Sequence, residues 1–600
     1  MQQSGSENFP EKQMRHEWLV IKMLFRHSYI RYHSNITMRS RDRIPFSILI
    51  ISINVLLNPF LQIVDAKESS GRFLKVTEQM LGNLNTFQRN YGVAVSDVDN
   101  DGELDFIVAG FSGRNFVLKY NTTTSQLDNI AQPGTPFENL MDVKGQAIGV
   151  CACDIDGDGR EEIYFLNTNQ AYAGVSSYGD KLFKWSDNQY IDLYEDPVNR
   201  NMSVQNYAGR SVACIDRNGD GTYGIAVATY SQNGQGNFAF VEVDSKRKNT
   251  QNDGIPLRDI AKEIGIDIST GGRAIAVGPI VGQDGKSDIF FGNEGNRHLG
   301  NSGKNCLFKN IGNGSFADIA TISGVSDVTE AVRGIALADL NRDKQLDIVY
   351  GNWIGSHRIY IQTTTGGDIN FKNIAEGDYE KQSAIRTVLA TDFNNDGITE
   401  IFMNNIKSYN TPQPNKLFDV ILDRLDKNSI DIKSIDVGDA EEAQGFGTGG
   451  AYTDVDNDGI LELLLSHGES NAQPLEIYKA KDTENNRWIR VRPYTKFGAP
   501  ARGATVTLKS TEGEEHLQVI DGGSGYLCQM EPVAHFGLGT TIEPLMITVQ
   551  WQDGETVKLK QLDHSSINKV HHVKHPFHKP SSHIKIVNAT FTTEVKHEEL

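Results

Sequence analysis

Asp97-Val98-Asp99-Asn100-Asp101-Gly102-Glu103-Leu104-Asp105 is a nine-residue acidic segment, and close versions of it return along the chain. Further copies begin at Asp154, Asp216, Asp339, Asp392 and Asp454, and a degraded copy covers Ile280 to Asp288. The copies recur about every sixty residues, a spacing that indicates a repeat architecture. We number them loops 1 to 7 in chain order and their residues positions 1 to 9, so that loop 1 is 97–105 and the degraded copy is loop 4.

The sequence around each loop predicts β-strands. Small apolar runs such as Tyr91–Ser96 precede the loops, and β-prone runs such as Phe106–Ala109 follow them. Both are short and bounded by Gly, Asn or Asp, which is typical of an all-β repeat. Seven four-stranded sheets can bury their faces against each other around an axis, so we predict an all-β, seven-bladed β-propeller. A linear solenoid is the alternative, but no capping repeats are evident. We expect an early strand near Phe73–Val76 to complete the last blade.

The loops have the composition of a site for a hard cation. Oxygen-bearing side chains stand at positions 1, 3, 5 and 9, a glycine at position 6 permits a sharp turn, and the carbonyl at position 7 adds an oxygen. The closing acid at position 9 and the flanking strands distinguish the loops from an EF-hand. The candidate ligands are Asp97, Asp99, Asp101, Glu103 and Asp105; Asp154, Asp156, Asp158, Arg160 and Glu162; Asp216, Asn218, Asp220 and the Thr222 carbonyl; Asp339, Asn341, Asp343, Gln345 and Asp347; Asp392, Asn394, Asp396, Ile398 and Glu400; and Asp454, Asp456, Asp458, Ile460 and Glu462.

Calcium explains these clusters better than solvated Asp/Gly turns do. Two carboxylates about 5 Å apart repel each other by about 3 kcal/mol at an effective dielectric of about 20. Lys and Arg are nearly absent from the ligand positions, so we expect no salt bridge to supply the compensating charge. We therefore predict several Ca²⁺ ions, up to six, with Mg²⁺ as the minor competitor.

The loops are not equivalent. Loops 1, 2 and 7 each carry four carboxylates and are predicted to bind best, whereas loops 5 and 6 carry three. Lys344 replaces the turn glycine of loop 5. Loop 3 has two carboxylates and Gly224 at position 9, so we expect it to be weak. In loop 4, Ile280 and Gly282 remove two ligands, and we expect no ion there.

The overall charge fits this interpretation. The chain has 600 residues and a formal net charge of −19. This imbalance argues against nucleic acid or an anionic membrane surface as the main partner. The loop carboxylates account for it if they bind cations.

The N-terminus resembles a targeting segment. Arg39, Arg41 and Arg43 precede the apolar run 44–57, and Val64-Asp65-Ala66 resembles a cleavage site. The run is shorter than the roughly 20 residues of a membrane span. We predict a leader over 1–66, with Met38 as a possible true start, and a secreted, extracellular chain. The alternative is a type II membrane anchor if the leader is not cleaved.

Cysteines and sequons are consistent with secretion without requiring it. Five cysteines are too few for a disulfide scaffold. Cys151 and Cys153 share a strand face, and each could pair with Cys214 only if neighbouring blades align them; buried thiols are the alternative. Sequons stand at Asn121, Asn201, Asn313 and Asn588.

A different pattern begins near residue 485. The segment 486–491 alternates in polarity, and Asp553-Gly554 between two β-prone runs predicts a hairpin turn. We assign a small β domain to 485–575, after a propeller at 67–480, and a polar tail to 576–600. His535 and Arg502 are interpreted as structural or binding residues. A cluster of histidines is expected to lie in a solvated tail, with a Zn²⁺ or Cu²⁺ site as the less favoured alternative: His571, His572, His575, His578 and His583.

These motifs resemble known families. The repeats over 90–480 look like the FG-GAP repeats of integrin α-subunit propellers, where calcium sits in a β-hairpin loop. The segments Gly523-Ser524-Gly525-Tyr526 and His535-Phe536-Gly537-Leu538-Gly539 resemble the UnbV/ASPIC domain of the cartilage acidic protein family. The joint resemblance implies a calcium-binding extracellular glycoprotein of the matrix or cell surface. This chain lacks the Cys-rich EGF-like module of some members, so roles of that module are not carried over.

Two classes of function remain. The first is a binding or adhesion scaffold whose partner is an extracellular macromolecule, either a matrix or cell-surface protein or a glycan. The second is an extracellular hydrolase or lyase that uses the propeller axis or the domain junction. We favour the first, with no catalytic residue, because no nucleophile with a base stands at a recognisable spacing.

Overall fold

The structure is a computed structural model. It describes residues 71–167, 178–230, 237–247, 254–282, 284–294, 303–407, 411–422, 430–481, 483–560 and 562–579. The predicted leader, the alternative start at Met38, and His583 and Asn588 of the tail lie outside these residues.

Seven four-stranded antiparallel sheets form the larger part of the described chain. Blade 1 contains β2 (Asn90–Ser96), β3 (Asp105–Gly110), β4 (Phe116–Asn121) and β5 (Gln126–Asn129). Blade 2 contains β6 (Ala147–Cys153), β7 (Glu162–Asn167), β8 (Lys181–Ser186) and β9 (Gln189–Asp192). Blade 3 contains β10 (Gly209–Ile215), β11 (Gly224–Thr229), β12 (Ala239–Val243) and β13 (Leu257–Asp259). Blade 4 contains β14 (Gly272–Gly278), β15 (Asp288–Asn293), β16 (Cys306–Asn310) and β17 (Phe316–Asp318). Blade 5 contains β18 (Val332–Ala338), β19 (Asp347–Asn352), β20 (Arg358–Gln362) and β21 (Phe371–Asn373). Blade 6 contains β22 (Ile385–Thr391), β23 (Glu400–Asn405), β24 (Lys416–Leu422) and β25 (Ile430–Ile435).

The seventh blade closes the ring with strands from both ends of the propeller. It contains β26 (Gly447–Thr453), β27 (Glu462–His467), β28 (Glu476–Ala480) and β1 (Phe73–Lys75). Phe73 pairs with Ala480, and Lys75 with Tyr478. The first strands of successive blades contact each other in a closed circle from β2 to β26 and back to β2. The predicted seven-bladed propeller and the closing strand near Phe73 are therefore confirmed.

Each first strand lines the axis and is buried along nearly its whole length, and most of its residues are small or apolar. Between the blades lie the short helices α1 (Thr77–Leu81), α2 (Ala261–Ile264), α3 (Ala320–Ser323) and α4 (Gly377–Glu380). Short 3₁₀ turns cover Glu138–Met141, Ser203–Asn206, Asp439–Glu441 and His564–Ser566. In the part of the chain that is described, no helix is long and apolar enough to cross a membrane.

One disulfide joins two neighbouring blades. Cys153 at the end of β6 is bonded to Cys214 in β10, with the two Cα atoms 6.1 Å apart. Of the two pairings that the sequence left open for Cys214, the structure therefore contains the one with Cys153. Cys151, Cys306 and Cys528 are buried free thiols.

The C-terminal part forms two further sheets. One has the order β31 (Glu515–Val519), β30 (Thr505–Ser510), β33 (Pro544–Gln550) and β34 (Thr556–Lys560). The other has the order β32 (Ala534–Gly539), β29 (Arg487–Tyr494) and β35 (Val570–Lys574), with β35 parallel to β29.

The prediction of a solvated histidine tail is wrong for the histidines of this region. His571 and His572 belong to β35, and the ring of His572 stacks on Tyr494. His575 is buried, and its Nε2 lies 2.9 Å from Asp553 Oδ2. The pairing of β35 with β29 orders this segment, a contact between residues about eighty positions apart that local composition does not reveal.

A segment of the C-terminal part fills the propeller axis. Residues 522–533, between β31 and β32, are all buried, and we call them the plug. Gly525 exchanges two backbone hydrogen bonds of 2.6 Å with Ile335 of β18. Gln529 donates its backbone N–H to Val93 of β2 at 3.0 Å and accepts from Val95 at 3.2 Å. A Cβ on Gly92 would lie 2.2 Å from the carbonyl oxygen of Leu527, so the glycine permits the plug to enter.

Candidate metal centre

The six complete loops share one backbone arrangement. The carboxylate at position 1 accepts a hydrogen bond from the N–H at position 6 in every one of them. These N–O distances are 2.9 Å for Gly102, 2.9 Å for Gly159, 2.7 Å for Gly221, 3.1 Å for Lys344, 2.7 Å for Gly397 and 3.0 Å for Gly459. The loops therefore fold back on their first aspartate, whichever residue stands at position 6.

Two residues of each loop adopt left-handed backbone conformations. At position 6, Gly102 has φ +102°, and Lys344 has φ +69° although it carries a side chain. Position 4 is also left-handed, at Asn100, Gly157, Gly219, Arg342, Asn395 and Asn457. Asn and Gly tolerate this region best, and five of these six residues are Asn or Gly, so their recurrence at position 4 is a turn signal in the sequence.

In every loop except loop 3, which has Gly224 at position 9, the acid at position 9 closes the loop onto position 2. Asp105 accepts from the N–H of Val98 at 2.9 Å, and Glu400 accepts from that of Phe393 at 2.7 Å. The degraded loop 4 keeps this bond, from Val281 to Asp288, at 2.9 Å. Position 9 therefore has a structural role in addition to any role in binding a cation.

Three loops bring acidic oxygens of three residues within 4.8 Å of one another. The groups are Asp97, Asp99 and Asp101; Asp154, Asp156 and Glu162; and Asp454, Asp456 and Glu462. These are the loops with four carboxylates. At position 7, the N–H groups of Glu103, Arg160, Thr222, Gln345, Ile398 and Ile460 donate to the carboxylate at position 5.

The expectation that no salt bridge supplies positive charge to the loops is wrong. A lysine of the third strand of the blade reaches each four-carboxylate loop. Lys119 Nζ lies 2.8 Å from Asp99 and 2.5 Å from Asp101. Lys479 Nζ lies 2.9 Å from Asp456 and 2.8 Å from Asp458.

Lys184 forms the same contacts in blade 2, with Asp156 and Glu162 at 3.0 Å and with Asp158. Glu462 and Lys479 are direct cross-strand partners, and Lys119 and Lys184 occupy the corresponding places in β4 and β8. The lysines are distant in sequence from the loops, so only the strand register reveals them.

Loops 3, 5 and 6 have no lysine at this place, whereas Lys309 occupies it in blade 4. In blade 6, Glu400 pairs across the strands with Asp419, and Arg72 lies 3.2 Å from Glu400 and 3.5 Å from Asp419. In blade 5 the corresponding residue is Ile361. In blade 3 it is Glu242, which forms ion pairs with Arg217 at 3.0 Å and Arg258 at 2.6 Å.

Burial disfavours the ionised form of the loop carboxylates when no cation is close to them. Desolvation raises the pKa of Asp97 to about 6, that of Asp154 to about 8 and that of Asp392 to about 7. Desolvation also holds the pKa of Glu162 and Glu462 well above the usual range, even though Lys184 and Lys479 act in the opposite direction. One lysine does not compensate four partly buried carboxylates.

The donor set fits a calcium ion. Asp105 Oδ1, Asp156 Oδ1 and Asp454 Oδ1 are buried, and each lacks a hydrogen-bond partner among the described residues. Buried carboxylate oxygens are normally paired or bind a metal. Each of these three oxygens belongs to a loop with four carboxylates. Carboxylate, amide and carbonyl oxygens at this spacing are calcium ligands.

The C-terminal part covers the acidic loops. Arg492 donates to the carbonyl of Gly102 at 2.7 Å. Arg490 lies 2.7 Å from Asp454 and also contacts Glu531 of the plug. A Cβ at Gly157 would lie 3.3 Å from the ring of Phe497. The acidic loops therefore stand at the end of the axis where the plug enters.

His535 and Arg502 also contact the propeller. Arg502 is fully buried, and its Nε donates to Glu161 Oε1 at 2.6 Å. His535 Nε2 lies 2.6 Å from Asn395 Oδ1, and burial holds the pKa of His535 well below its usual value. Both residues thus contribute to the contact between the two β regions.

The propeller axis and the junction with the C-terminal part, the two places where a catalytic site was expected under the alternative function, differ in accessibility. The plug occupies the propeller axis. A small open pocket lies between loop 3 and the C-terminal part and is lined by Asp216, Asp220, Trp551 and His575, among others. The described residues that line it include no serine or cysteine.

Profile comparisons assign a class to both β regions. The FG-GAP-like repeat profile matches residues 97–165, 282–350 and 339–403, and the ASPIC and UnbV profile matches residues 495–577. Together with the seven blades and their acidic loops, these matches define an FG-GAP-repeat β-propeller with an ASPIC/UnbV domain.

Whole-chain comparisons identify the family. Cartilage acidic protein 1 of Xenopus tropicalis is 48% identical over 517 residues, which cover 85% of this chain and 78% of the relative. The Homo sapiens protein of the same name is 47% identical over 529 residues, with 87% and 78% covered. The chain belongs to the cartilage acidic protein family.

Solved structures show only weak similarity. BBS1N in complex with ARL6DN aligns at a TM-score of 0.37 and 12% identity, covering 69% of this chain and 98% of that one. The Dos1 propeller aligns at a TM-score of 0.35 and 12% identity, covering 68% and 96%.

Proposed function

We propose that this protein is a calcium-binding extracellular scaffold whose acidic loops hold Ca²⁺ ions and thereby fix the propeller blades. The observation that carries the proposal is the unpartnered, buried carboxylate oxygen in each of loops 1, 2 and 7. A divalent cation would bind these oxygens and take over the charge compensation that the third-strand lysine, joined by Arg490 at loop 7, provides only in part. In loops 5 and 6 the three loop carboxylates would hold the ion with an amide oxygen from Asn341 or Asn394.

An extracellular location is the second part of the proposal. The relatives are named cartilage acidic protein 1, and cartilage consists largely of extracellular matrix. A disulfide between blades, Cys153–Cys214, is typical of oxidising compartments. Asn201 and Asn313 are exposed and lie in glycosylation sequons.

The partner is proposed to be another macromolecule of the matrix or cell surface. A β-propeller offers loops at both ends of a rigid ring, and such loops are the usual place of binding. Calcium would act on this binding indirectly, by holding the loops and the C-terminal part in one arrangement.

Calorimetric titration of the secreted protein with CaCl₂ tests the metal part. We expect about five ions per chain, one for each of loops 1, 2, 5, 6 and 7, and a substantially weaker response to MgCl₂. A titration without calcium-specific heat, repeated by equilibrium dialysis with ⁴⁵Ca, would contradict the proposal. Pull-down of purified cartilage matrix components, in calcium and in chelator, tests the scaffold part.

A further inference from the structure

Four arginines occupy equivalent places at the end of the axis opposite the acidic loops. Each first strand of blades 3 to 6 begins with a β-bulge, and the bulged position holds Arg210, Arg273, Arg333 and Arg386. The equivalent residues of blades 1, 2 and 7 are Tyr91, Ile148 and Thr448. The four arginines therefore follow half of the ring, and we call them the arginine arc.

Aromatic rings separate the guanidinium groups within the arc. Tyr230 lies between two of them, with its ring centre 5.8 Å from Arg210 and 4.3 Å from Arg273. Trp353 lies between the other two, 5.7 Å from Arg333 and 4.0 Å from Arg386. A guanidinium stacked on a ring keeps its N–H edge directed away from the ring, where it can donate to an oxoanion.

Carboxylates compensate the arc only in part. Glu294 is shared, because it forms ion pairs with Arg273 and, at 3.2 Å, with Arg333. Glu469 lies 2.9 Å from Arg386. Among the described residues, three guanidinium cations thus share two carboxylates.

Burial makes this excess charge unfavourable. The side chains of Arg273, Arg333 and Arg386 are 5% exposed. Arg386 Nε is buried and makes no hydrogen bond within the described part of the chain. An arginine does not lose its proton in a protein, so a buried excess of arginines calls for an anion.

The neighbouring sequence offers no further carboxylate. The segments that connect the second and third strands of blades 2, 3, 4 and 6 include 168–177, 231–236, 295–302 and 408–410, and none of these four contains Asp or Glu. Asp327 and Glu330 of the preceding connection pair with Arg358. The carboxylates of the arc reach solvent, because the side chain of Glu469 is 32% exposed and that of Glu294 is 19% exposed.

We propose that the arginine arc is an oxoanion-binding site, which takes a sulfate-type group at the end of the axis opposite the acidic loops. The chain would thus bind cations at one end of its axis and an anion at the other. The group could belong to a free inorganic ion or to a sulfated glycan, since both present the same oxygens to the guanidinium edges.

The test uses the full-length secreted protein and two probes, sodium sulfate and a heparin-derived tetrasaccharide. Binding is measured by calorimetry at constant ionic strength with chloride as the balancing anion. Arg333→Gln should weaken binding of either probe about tenfold, because one charge-assisted contact is lost. Glu294→Gln should strengthen it severalfold, because a competing carboxylate is removed. Arg487→Gln, which alters a pair with Glu543 in the C-terminal part, is the matched control and should leave binding unchanged.

Each outcome decides the proposal. Binding of sulfate alone would assign the site to a free ion, and tighter binding of the tetrasaccharide would assign it to a glycan. Absence of both, or equal binding by wild type, Arg333→Gln and Glu294→Gln, would overturn it. If Arg333→Gln fails to fold, Glu294→Gln still tests the charge dependence.

Discussion

Two groups of acidic loops differ in how the blade compensates their charge. Loops 1, 2 and 7 carry four carboxylates, and each receives a lysine from the third strand of its blade. Loops 5 and 6 carry three carboxylates and receive none. If only the carboxylates at positions 1, 3, 5 and 9 and the third-strand lysine are counted, each of these five loops carries a formal charge of −3. Further cations lie in or against these loops, among them Lys344 in loop 5, Arg72 at loop 6 and Arg490 at loop 7.

The comparison shows that a loop cannot be judged from its own residues. By their carboxylates alone, loops 1, 2 and 7 rank highest. The lysines reduce that advantage, because an arriving Ca²⁺ must displace an ammonium group that already contacts the same oxygens. Loops 5 and 6 start without this lysine, although Arg72 contacts Glu400 at position 9 of loop 6.

Removing calcium should have the largest effect, because it acts on both groups of loops at once. Excess EGTA should lower the melting temperature by about 10 °C, since several ions that bind only the folded state each contribute to its stability. Differential scanning calorimetry with EGTA, and with EGTA plus restored calcium, measures this. Unchanged melting in chelator would show that the lysines and backbone alone hold the loops.

A single-loop substitution should have a smaller effect. Asp97→Ala removes position 1 of a four-carboxylate loop and should abolish one bound ion, lowering the melting temperature in calcium by about 2–4 °C. Asp220→Ala alters loop 3, which has two carboxylates and Gly224 at position 9, and should leave the ion count unchanged. Calcium stoichiometry by equilibrium dialysis compares the two variants. The reverse ranking would contradict the distinction between these loops.

Replacing a third-strand lysine should distinguish the loops that receive such a lysine from the loops that do not. Lys479→Met should raise the calcium affinity of loop 7 about tenfold, because the competing ammonium is removed. In EGTA the same variant should melt below wild type, since four carboxylates then lack their cation. Ile361→Met, at the corresponding place of blade 5, where the third strand offers the loop no lysine, is the matched control and should change neither quantity. Equal responses of the two variants would show that the lysine does not compete with Ca²⁺ for the loop carboxylates.

Much of the fold could be predicted from the sequence because the information is local and repeated. The loops mark every hairpin between first and second strands, and seven copies fix the blade number. The closing role of the segment near Phe73 followed from the need to complete the last sheet. The loop turn itself was predictable, since Asp at position 1 and Gly at position 6 act within nine residues.

The features that were missed depend on contacts between distant residues. Gly525 of the plug is hydrogen-bonded to Ile335 of β18. The sequence of the plug alone does not reveal that it packs in the propeller axis. Lys119 meets Asp99 only through the register of β4, which depends on turn lengths that vary between blades. The arginine arc had a signal: Arg210, Arg333 and Arg386 each stand six residues before position 1 of their loop.

The most direct test of the account is a crystal of the protein grown in millimolar calcium, with anomalous scattering measured at a long wavelength. We expect anomalous peaks in loops 1, 2, 5, 6 and 7, with Lys119, Lys184 and Lys479 withdrawn from the carboxylates at positions 3 and 5. Well-ordered loops without peaks, with the three lysines still in contact with those carboxylates, would contradict the claim that calcium holds the propeller loops.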